Sequence, residues 1–297
     1  MHLRAPARRL TGALAAVGTT AVLGLTASAT EAATAAATEP LPYVALGDSY
    51  SAASGNFPLD PAAPLLCARS TTNYPHVIAK RIGAHLQDVT CGGAQTKDFT
   101  TPQYPGVAPQ LDAVKPGTKL VTMTIGGNDN NTFISSVLAC GAAGVLSGGQ
   151  GSPCKDIFKD SLAQAVEAKT GPAVTAALRA VRHKAPAARV AILGYPSILP
   201  AKADPSCFAR MPIASGDVPF LHDLETRLNR VIERAAAESG ATFVDMAAAS
   251  KGHDACKPVG TRWIEPVVPH ASLASVHPNA LGEAKMAEHT IQALNLD

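Results

Sequence analysis

Four short segments of the sequence combine the residue types that acyl transfer requires. Acyl transfer needs a nucleophile, a base that takes its proton, and hydrogen-bond donors for the oxygen that becomes negative. The segments contain two serines, two glycine pairs, two asparagines and a histidine, so they offer a candidate for each task. They are Gly47-Asp48-Ser49-Tyr50-Ser51, Cys91-Gly92-Gly93-Ala94, Gly126-Gly127-Asn128-Asp129 and His277-Pro278-Asn279.

Ser49 and His277 are the candidate catalytic pair. Ser49 follows a short apolar run and a glycine, which predicts an exposed position directly after a buried strand. A serine hydroxyl is a poor nucleophile at neutral pH and needs a neighbouring imidazole. Of the nine histidines, His277 is the one in a matching context, so we assign it as the general base. Asp48 is expected to shape the turn rather than to act as an acid.

Three donors are candidates for an oxyanion hole. Two are the backbone N–H groups of Ser49 and Gly93, because glycine lets the backbone come close to a ligand. The third is the neutral side-chain amide of Asn128, and one such donor is typically worth about 2.7–4 kcal/mol in the transition state. Taken alone, each segment is more ordinary, since such sequences often form turns or helix caps.

The elements that position these residues alternate along the chain. Helices are predicted over 74–82, 219–239 and 278–294, and the Gly- and Ser-rich stretch 138–160 is predicted to be a surface excursion. Most of the predicted strands are continuous apolar runs, which favours a parallel sheet covered on both faces and a three-layer α/β fold. Ligands of such sheets bind outside the carboxyl ends of the strands. The predicted strands are 43–46, 88–90, 120–125, 189–193 and 242–245.

In this order, the four segments resemble the SGNH hydrolases, also called the GDSL lipase/esterase family, and in particular its secreted actinobacterial members. The resemblance extends from Tyr43 to Leu294, with Tyr50 standing where many members have Leu. The Gly-x-Ser-x-Gly motif is absent, which argues against the α/β-hydrolase fold. The family blocks fall on Gly47-Asp48-Ser49, on Gly93 (or Gly92 if the alignment slips by one), on Asn128 and on His277 followed by Pro278.

The resemblance implies a flavodoxin-like α/β/α fold with five parallel strands and ester hydrolysis without metal or cofactor. We therefore expect a lipase or carboxylesterase that forms an acyl-enzyme on Ser49. A carbohydrate O-deacetylase or a phospholipase A of the same family remains an alternative, as does a non-catalytic binding protein with this fold. The acyl-chain preference stays open.

One departure from the family pattern concerns the group that orients His277. Members usually carry an Asp three residues before the histidine, and this chain has Ala274 there. We predict a Ser–His dyad in which the backbone carbonyl of Ala274 or Ser275 accepts the Nδ1 proton and fixes the tautomer. The competing hypothesis is that a carboxylate folds in to help. Its candidates are Asp245, Asp254 and Glu265.

The amino terminus reads as an export signal. Residues 1–29 have a positive start, an apolar run and small residues at Ala27-Ser28-Ala29, as signal peptides do. Gly and Thr interrupt the run, which disfavours a transmembrane anchor. We expect a disordered lead-in at 30–40, the hydrolase domain at 41–297, and a secreted protein whose export route, Sec or twin-arginine, is open.

Six cysteines in an exported chain suggest disulfides. Six cysteines permit about fifteen pairings, and we favour neighbours in sequence. A metal site is disfavoured because no Cys-x-x-Cys pair is present. The predicted bridges are Cys67–Cys91, Cys140–Cys154 and Cys207–Cys256.

Composition limits the classes of partner. A net charge of +2 gives no strong field for nucleic acid, and 4% aromatic residues give few stacking platforms. The chain is 46% hydrophobic, which suits one globular domain. We expect a small-molecule or lipid ester substrate, no nucleic acid partner, no stable membrane insertion and a monomer.

Overall fold

The computed structural model describes residues 39–268 and 272–296, with five isolated positions between 12 and 18. Apart from those five positions, the predicted signal peptide at 1–29 lies outside the described residues, and so does the lead-in at 30–40 except for its last two residues. Residues 39–297 form one compact unit. In the described part of the chain, no helix is both long enough and apolar enough to cross a membrane.

A five-stranded parallel sheet forms the centre of the fold. Its strands are β1 (Pro42–Ala45), β2 (His85–Asp88), β3 (Leu120–Met123), β4 (Arg189–Leu193) and β5 (Thr242–Val244). They lie in the order β2-β1-β3-β4-β5, and every neighbouring pair is parallel. This is the flavodoxin-like order, so the predicted fold class is confirmed.

Helices cover both faces of the sheet. The most extensively packed helix pairs are α6 with α7 and α2 with α9, and both α7 and α9 contact β4 and β5. This cover explains why β3 and nearly all of β4 are buried. The helices are α1 (Ser49–Ala52), α2 (Tyr74–Ile82), α3 (Ile134–Leu146), α4 (Pro153–Phe158), α5 (Ser161–Ala165), α6 (Gly171–Lys184), α7 (Asp217–Ser239), α8 (Met246–Ala249) and α9 (Ala280–Leu294).

Helix boundaries follow their capping residues. The prediction of α2 is confirmed, because the Asn73 side chain accepts from the third helical N–H and a left-handed Gly83 ends the helix. The predicted start of the last helix at Pro278 is wrong. Pro278 instead forms an antiparallel bridge with Ile264, and Asn279 caps the helix that begins at Ala280.

Two further predictions are corrected. The second strand lies at His85–Asp88 rather than at 88–90, because an edge strand alternates between exposed and half-buried residues and lacks a long apolar run. Asp88 then closes a turn, accepting hydrogen bonds from both the N–H and the hydroxyl of Thr90. The excursion at 138–160 contains the end of α3 and all of α4.

Three disulfides join loops and helices around the sheet. Cys67–Cys91, Cys140–Cys154 and Cys207–Cys256 are the neighbour pairs that the sequence favoured. The second bridge connects α3 to α4. The first connects the loop after α1 to the segment that carries Gly92 and Gly93, so it bears directly on the candidate site.

Candidate active site

The turn that carries Ser49 is set by Gly47. Gly47 has φ +121°, and a Cβ atom there would lie 2.3 Å from the carbonyl oxygen of Thr124. Only glycine therefore fits the close approach of the two strand ends. Ser49 is the first residue of α1 and is 6% exposed, less than the sequence predicted, because every residue of this short helix is buried.

Asp48 holds this turn in place. Its Oδ1 accepts from the Tyr50 N–H at 3.1 Å and from the Thr124 hydroxyl at 2.7 Å, while its Oδ2 accepts from the Tyr195 hydroxyl. Burial raises the pKa of Asp48 to about 6, and these hydrogen bonds oppose the rise. Both carboxylate oxygens are thus engaged in shaping the turn.

Asn128 lies in the loop that leaves β3. Its side-chain Nδ2 donates to the Ala94 carbonyl at 3.1 Å, which orients the amide and leaves the second N–H of that group for another acceptor. The loop is also tied to the segment after Gly93, because Asp129 accepts from the N–H of Thr96 at 2.8 Å. The two predicted donor segments are therefore neighbours.

The two glycines of the second segment differ in their hydrogen bonding. The N–H of Gly92 donates to the Cys67 carbonyl at 2.8 Å and is occupied. Gly93 is exposed with φ +75°, and within residues 39–268 and 272–296 its N–H makes no backbone hydrogen bond. Of the pair, Gly93 has the N–H that is open to a bound anion.

A backbone carbonyl orients the imidazole of His277. Its Nδ1 lies 2.8 Å from the carbonyl oxygen of Ser275, whereas the carbonyl of Ala274 accepts from the Ser272 hydroxyl. With Nδ1 donating to Ser275, Nε2 is the acceptor nitrogen of the neutral ring. Burial lowers the pKa of His277 from 6.5, and the bond to Ser275 opposes that shift.

The segment around His277 is held as one half of a short antiparallel ribbon. The N–H of Val276 donates to the Glu265 carbonyl, and the Glu265 N–H donates to the His277 carbonyl, both at 2.8 Å. Val276 has φ +63°, a left-handed conformation that a β-branched residue rarely adopts. The surrounding contacts hold it there, which is the pattern expected of a functional site.

The three candidate carboxylates are engaged elsewhere. Glu265 accepts from Arg262 at 2.7 Å and from the Asn279 side chain at 2.9 Å. Asp254 accepts from the Cys256 N–H, and Asp245 caps α8. Within the described ranges, no carboxylate is hydrogen-bonded to the imidazole of His277.

Tyr50 joins the serine helix to the histidine loop. Its hydroxyl donates to the Val276 carbonyl at 2.7 Å, and its ring lies 5.2 Å from the His277 ring between centroids. The N–H of Leu273 also donates to the Gly55 carbonyl, just after α1. The described residues include no hydrogen bond between Ser49 and His277 themselves, which in many free enzymes forms only with substrate.

Sequence reasoning missed the buried tyrosines of this site. Tyr50 was noted only as a departure from Leu, and Tyr195 follows Gly194 at the end of β4, where an aromatic residue suggests ordinary core packing. The position at a strand end was the one available signal.

Within the described ranges, no cluster of three or more His, Cys, Asp or Glu side chains could hold a metal ion.

Comparison with known proteins gives consistent matches. The family model described as GDSL-like lipase/acylhydrolase matches residues 45–285. Lipase 2 of Streptomyces coelicolor is 62% identical over 290 residues, covering 98% of each chain.

Two solved structures share both the fold and recognisable sequence. The phospholipase A1 of Streptomyces albidoflavus has a TM-score of 0.71 and 29% identity, covering 86% of this chain and 99% of that one. The extracellular lipase of Streptomyces rimosus has a TM-score of 0.71 and 30% identity, covering 85% and 99%.

Proposed function

Because this chain belongs to the family of GDSL-like lipases and acylhydrolases, we propose that it hydrolyses carboxylic esters through an acyl-enzyme on Ser49, with His277 as general base. The observation that carries this assignment is the contact made by Tyr50, which brings the serine helix against the histidine loop across 226 residues of sequence. The imidazole there already has its Nδ1 proton directed to a carbonyl, so Nε2 can accept a proton.

Acylation begins when Nε2 of His277 takes the proton of the Ser49 hydroxyl. The serine oxygen bonds to the ester carbonyl carbon, and the carbonyl oxygen becomes negative. The imidazolium then gives its proton to the alcohol oxygen as the carbon–oxygen bond breaks, and the acyl group stays on Ser49. The carbonyl of Ser275 keeps the ring in the required tautomer throughout.

Three donors stabilise the negative oxygen in this proposal. They are the N–H groups of Ser49 and Gly93 and the second N–H of the Asn128 amide. Support comes from the hydrogen bond of Asn128 to Ala94, which fixes the amide before substrate arrives and so reduces reorganisation during the reaction. Deacylation repeats the sequence with a water molecule, which His277 deprotonates as it attacks the acyl carbon.

The loops beside the site favour a medium or long acyl chain over an acetyl group. Leu65 and Leu66 are both exposed. They immediately precede Cys67, whose carbonyl accepts a hydrogen bond from the N–H of Gly92. Phe57 and Leu273 are also exposed, on the two loops joined by the Gly55–Leu273 hydrogen bond. Exposed apolar side chains around one site suit an apolar substrate. A lipase or carboxylesterase is therefore preferred to a carbohydrate O-deacetylase.

Phospholipid is the second candidate substrate. Its support is the match to the phospholipase A1 of Streptomyces albidoflavus. A phospholipase A hydrolyses the same kind of carboxylic ester bond, but in a substrate with a charged headgroup. Release of fatty acid from phosphatidylcholine, compared with release from a triacylglycerol of the same chain length, separates the two activities.

A substrate series tests the proposal. We expect the purified protein to hydrolyse decanoyl esters faster than acetyl esters, and Ser49→Ala and His277→Ala each to lower kcat by several orders of magnitude. Asn128→Ala should lower kcat by about a hundredfold or more. The matched control is Ser54→Ala, because the Ser54 hydroxyl is buried nearby without a hydrogen-bond partner among the described residues.

Labelling with a fluorophosphonate examines the nucleophile directly. The wild type and Ser54→Ala should be labelled, and Ser49→Ala should not. An unlabelled wild-type protein with no activity on any ester would indicate a non-catalytic binding protein. Full activity in Ser49→Ala would place the nucleophile elsewhere and refute the assignment.

Secretion is part of the same proposal. The positive and apolar start of the sequence supports it, and so do three disulfides, which persist in oxidising compartments. Finding the protein in culture medium with its amino terminus processed near residue 30 would support export. Retention of the intact chain in the cytoplasm would contradict it.

A further inference from the structure

The hydroxyl of Tyr195 lies between two loops of the site. Tyr195 follows β4 and is fully buried. Its hydroxyl donates to Oδ2 of Asp48, beside Ser49, and accepts the N–H of Gly127 at 2.8 Å, beside Asn128. One oxygen atom therefore joins the turn that carries the serine to the loop that carries the asparagine.

Surrounding contacts hold Tyr195 rigidly. The side chain of Asn229 accepts from its backbone N–H at 2.7 Å and donates to its carbonyl at 2.9 Å. Its ring meets the ring of Tyr50 edge to face, with 5.1 Å between centroids. On the other side, a Cβ atom at Gly127 would lie 2.8 Å from the Tyr195 ring, so the loop packs directly on the phenol.

The loop needs such a support because it leaves the sheet before it reaches Asn128. Thr124 is still paired with the nucleophile turn, since its carbonyl accepts the N–H of Asp48 at 3.0 Å. Beyond it come Gly126, in a left-handed conformation, and Gly127, both without side chains to pack. The bond from Gly127 to Tyr195 connects this flexible sequence back to Asp48.

We propose that Tyr195 is a positioning residue, whose hydroxyl fixes the distance between the Ser49 nucleophile and the Asn128 amide. The inference rests on the proposed roles of Ser49 and Asn128. Oxyanion donors act at hydrogen-bond range from the place where charge develops, so a loop that shifts by a fraction of an ångström loses their effect. Tyr195 does not touch substrate and acts through Asp48 and Gly127.

The test is the variant Tyr195→Phe, which keeps the ring and its packing and removes both hydrogen bonds. We expect kcat to fall by about ten- to hundredfold and KM to change by less than about twofold, because the loss is confined to the transition state. The matched control is Tyr43→Phe, which removes a buried hydroxyl bonded to Thr122 at 2.6 Å; neither residue belongs to the four site segments. It should keep its kcat, even where both variants melt earlier.

A double-mutant cycle with Asn128→Ala separates positioning from general loosening. If Tyr195 works by holding Asn128, the Asn128→Ala change should cost about a hundredfold alone but less than about tenfold in Tyr195→Phe. A structural defect would not produce this coupling. Two results would overturn the inference. One is a double variant whose loss in kcat equals the product of the two single losses, and the other is a kcat of Tyr195→Phe within about twofold of that of Tyr43→Phe.

Two further arms keep the outcome interpretable. If Tyr195→Phe does not fold, Asp48→Asn breaks the same bridge from its other end, because an amide cannot accept from Tyr195, Thr124 and Tyr50 together as the carboxylate does. The same split between kcat and KM is expected there, and an unchanged kcat would overturn the inference. A normal kcat for Asn128→Ala alone would refute the proposed oxyanion donor itself, and the inference with it.

Discussion

The orientation of His277 by a backbone carbonyl predicts a distinctive response to the removal of nearby carboxylates. The perturbation is the change of each candidate acid to its amide: Asp245→Asn, Asp254→Asn and Glu265→Gln. In a serine–histidine–aspartate triad, the same change to the acid lowers kcat by about 10⁴. Here the acceptor of the Nδ1 proton is the Ser275 carbonyl at 2.8 Å, which none of these substitutions removes.

The expected magnitudes follow from what each carboxylate contacts. Asp245 is an exposed helix cap and Asp254 binds a backbone N–H, so kcat should stay within about threefold of wild type in both variants. Glu265→Gln removes the charge that pairs with the buried Arg262, and loss of such a partner typically costs about 3–5 kcal/mol of stability. It should melt much earlier, yet keep its kcat below the melting range.

The assay is the pH dependence of kcat/KM for a soluble short-chain ester. In the proposed mechanism the free base of His277 is the active form, so activity should rise with pH through the pKa of that residue. Burial lowers this pKa below 6.5, and among residues 39–268 and 272–296 no carboxylate is hydrogen-bonded to the imidazole to raise it. The acid limb should therefore have its midpoint below pH 6.5 and remain there in all three amide variants.

Two results would refute this reasoning. One is a loss of about a thousandfold in kcat for a single amide variant that is folded at the assay temperature, which would identify a third catalytic member. The other is an acid limb with a midpoint above pH 6.5 in the wild type that moves down in one variant. That behaviour would require a negative charge close to the imidazolium.

Two predictions concern stability. Burial raises the pKa of Glu283 well above 4.5, because the folded protein favours the neutral carboxyl group. The folded state therefore has its full stability below pH 4.5 and loses part of it as pH rises toward the folded-state pKa of Glu283. Glu283→Gln keeps the acceptor for the Tyr74 N–H and should melt later than wild type at pH 8 but not at pH 4.5. Replacing Cys67 and Cys91 together by serine should cost about 3 kcal/mol, from the loop of 24 residues, and lower Tm.

The controls for these two predictions are direct. For Glu283→Gln, a Tm difference from wild type that stays constant between pH 4.5 and pH 8 would contradict the assignment of the raised pKa. For the disulfide, dithiothreitol should lower the Tm of the wild type more than that of the double variant, which lacks this bridge. An unchanged wild-type Tm under reductant would contradict bridging altogether.

The predictable part of the fold was the part buried on both sides. β3 and β4 are apolar over nearly their whole length, so their sequence alone indicates strands that are buried on both faces. β2 was predicted at 88–90, too late in the sequence, because an edge strand has one exposed side and therefore follows no continuous apolar pattern. The start of α9 was misplaced because Pro278 suits a first helical turn, while tertiary pairing with Ile264 draws it into a ribbon.

The candidate site was predictable at its glycines and polar residues but not in its supports. Gly47 and Gly93 adopt left-handed conformations, and that requirement is visible as glycine in the sequence. The supporting tyrosines, Tyr50 and Tyr195, are fully buried, and nothing in their local sequence distinguishes them from core residues. Their roles depend on partners 68 to 226 residues away, which no short motif records.

In the proposed dyad, the order that a triad carboxylate would supply has to come from another source. The carbonyl of Ser275 fixes the tautomer of His277 but carries no full charge, so it stabilises the imidazolium less than an aspartate would. The fixed position of the His277 imidazole must then contribute more to catalysis. Val276 is held in a left-handed conformation, and the Tyr50 hydroxyl donates a hydrogen bond to its carbonyl. In this proposal, buried hydrogen bonds to backbone groups take the place of the ion pair of a triad, and we expect the activity to depend more on those hydrogen bonds than on any acid.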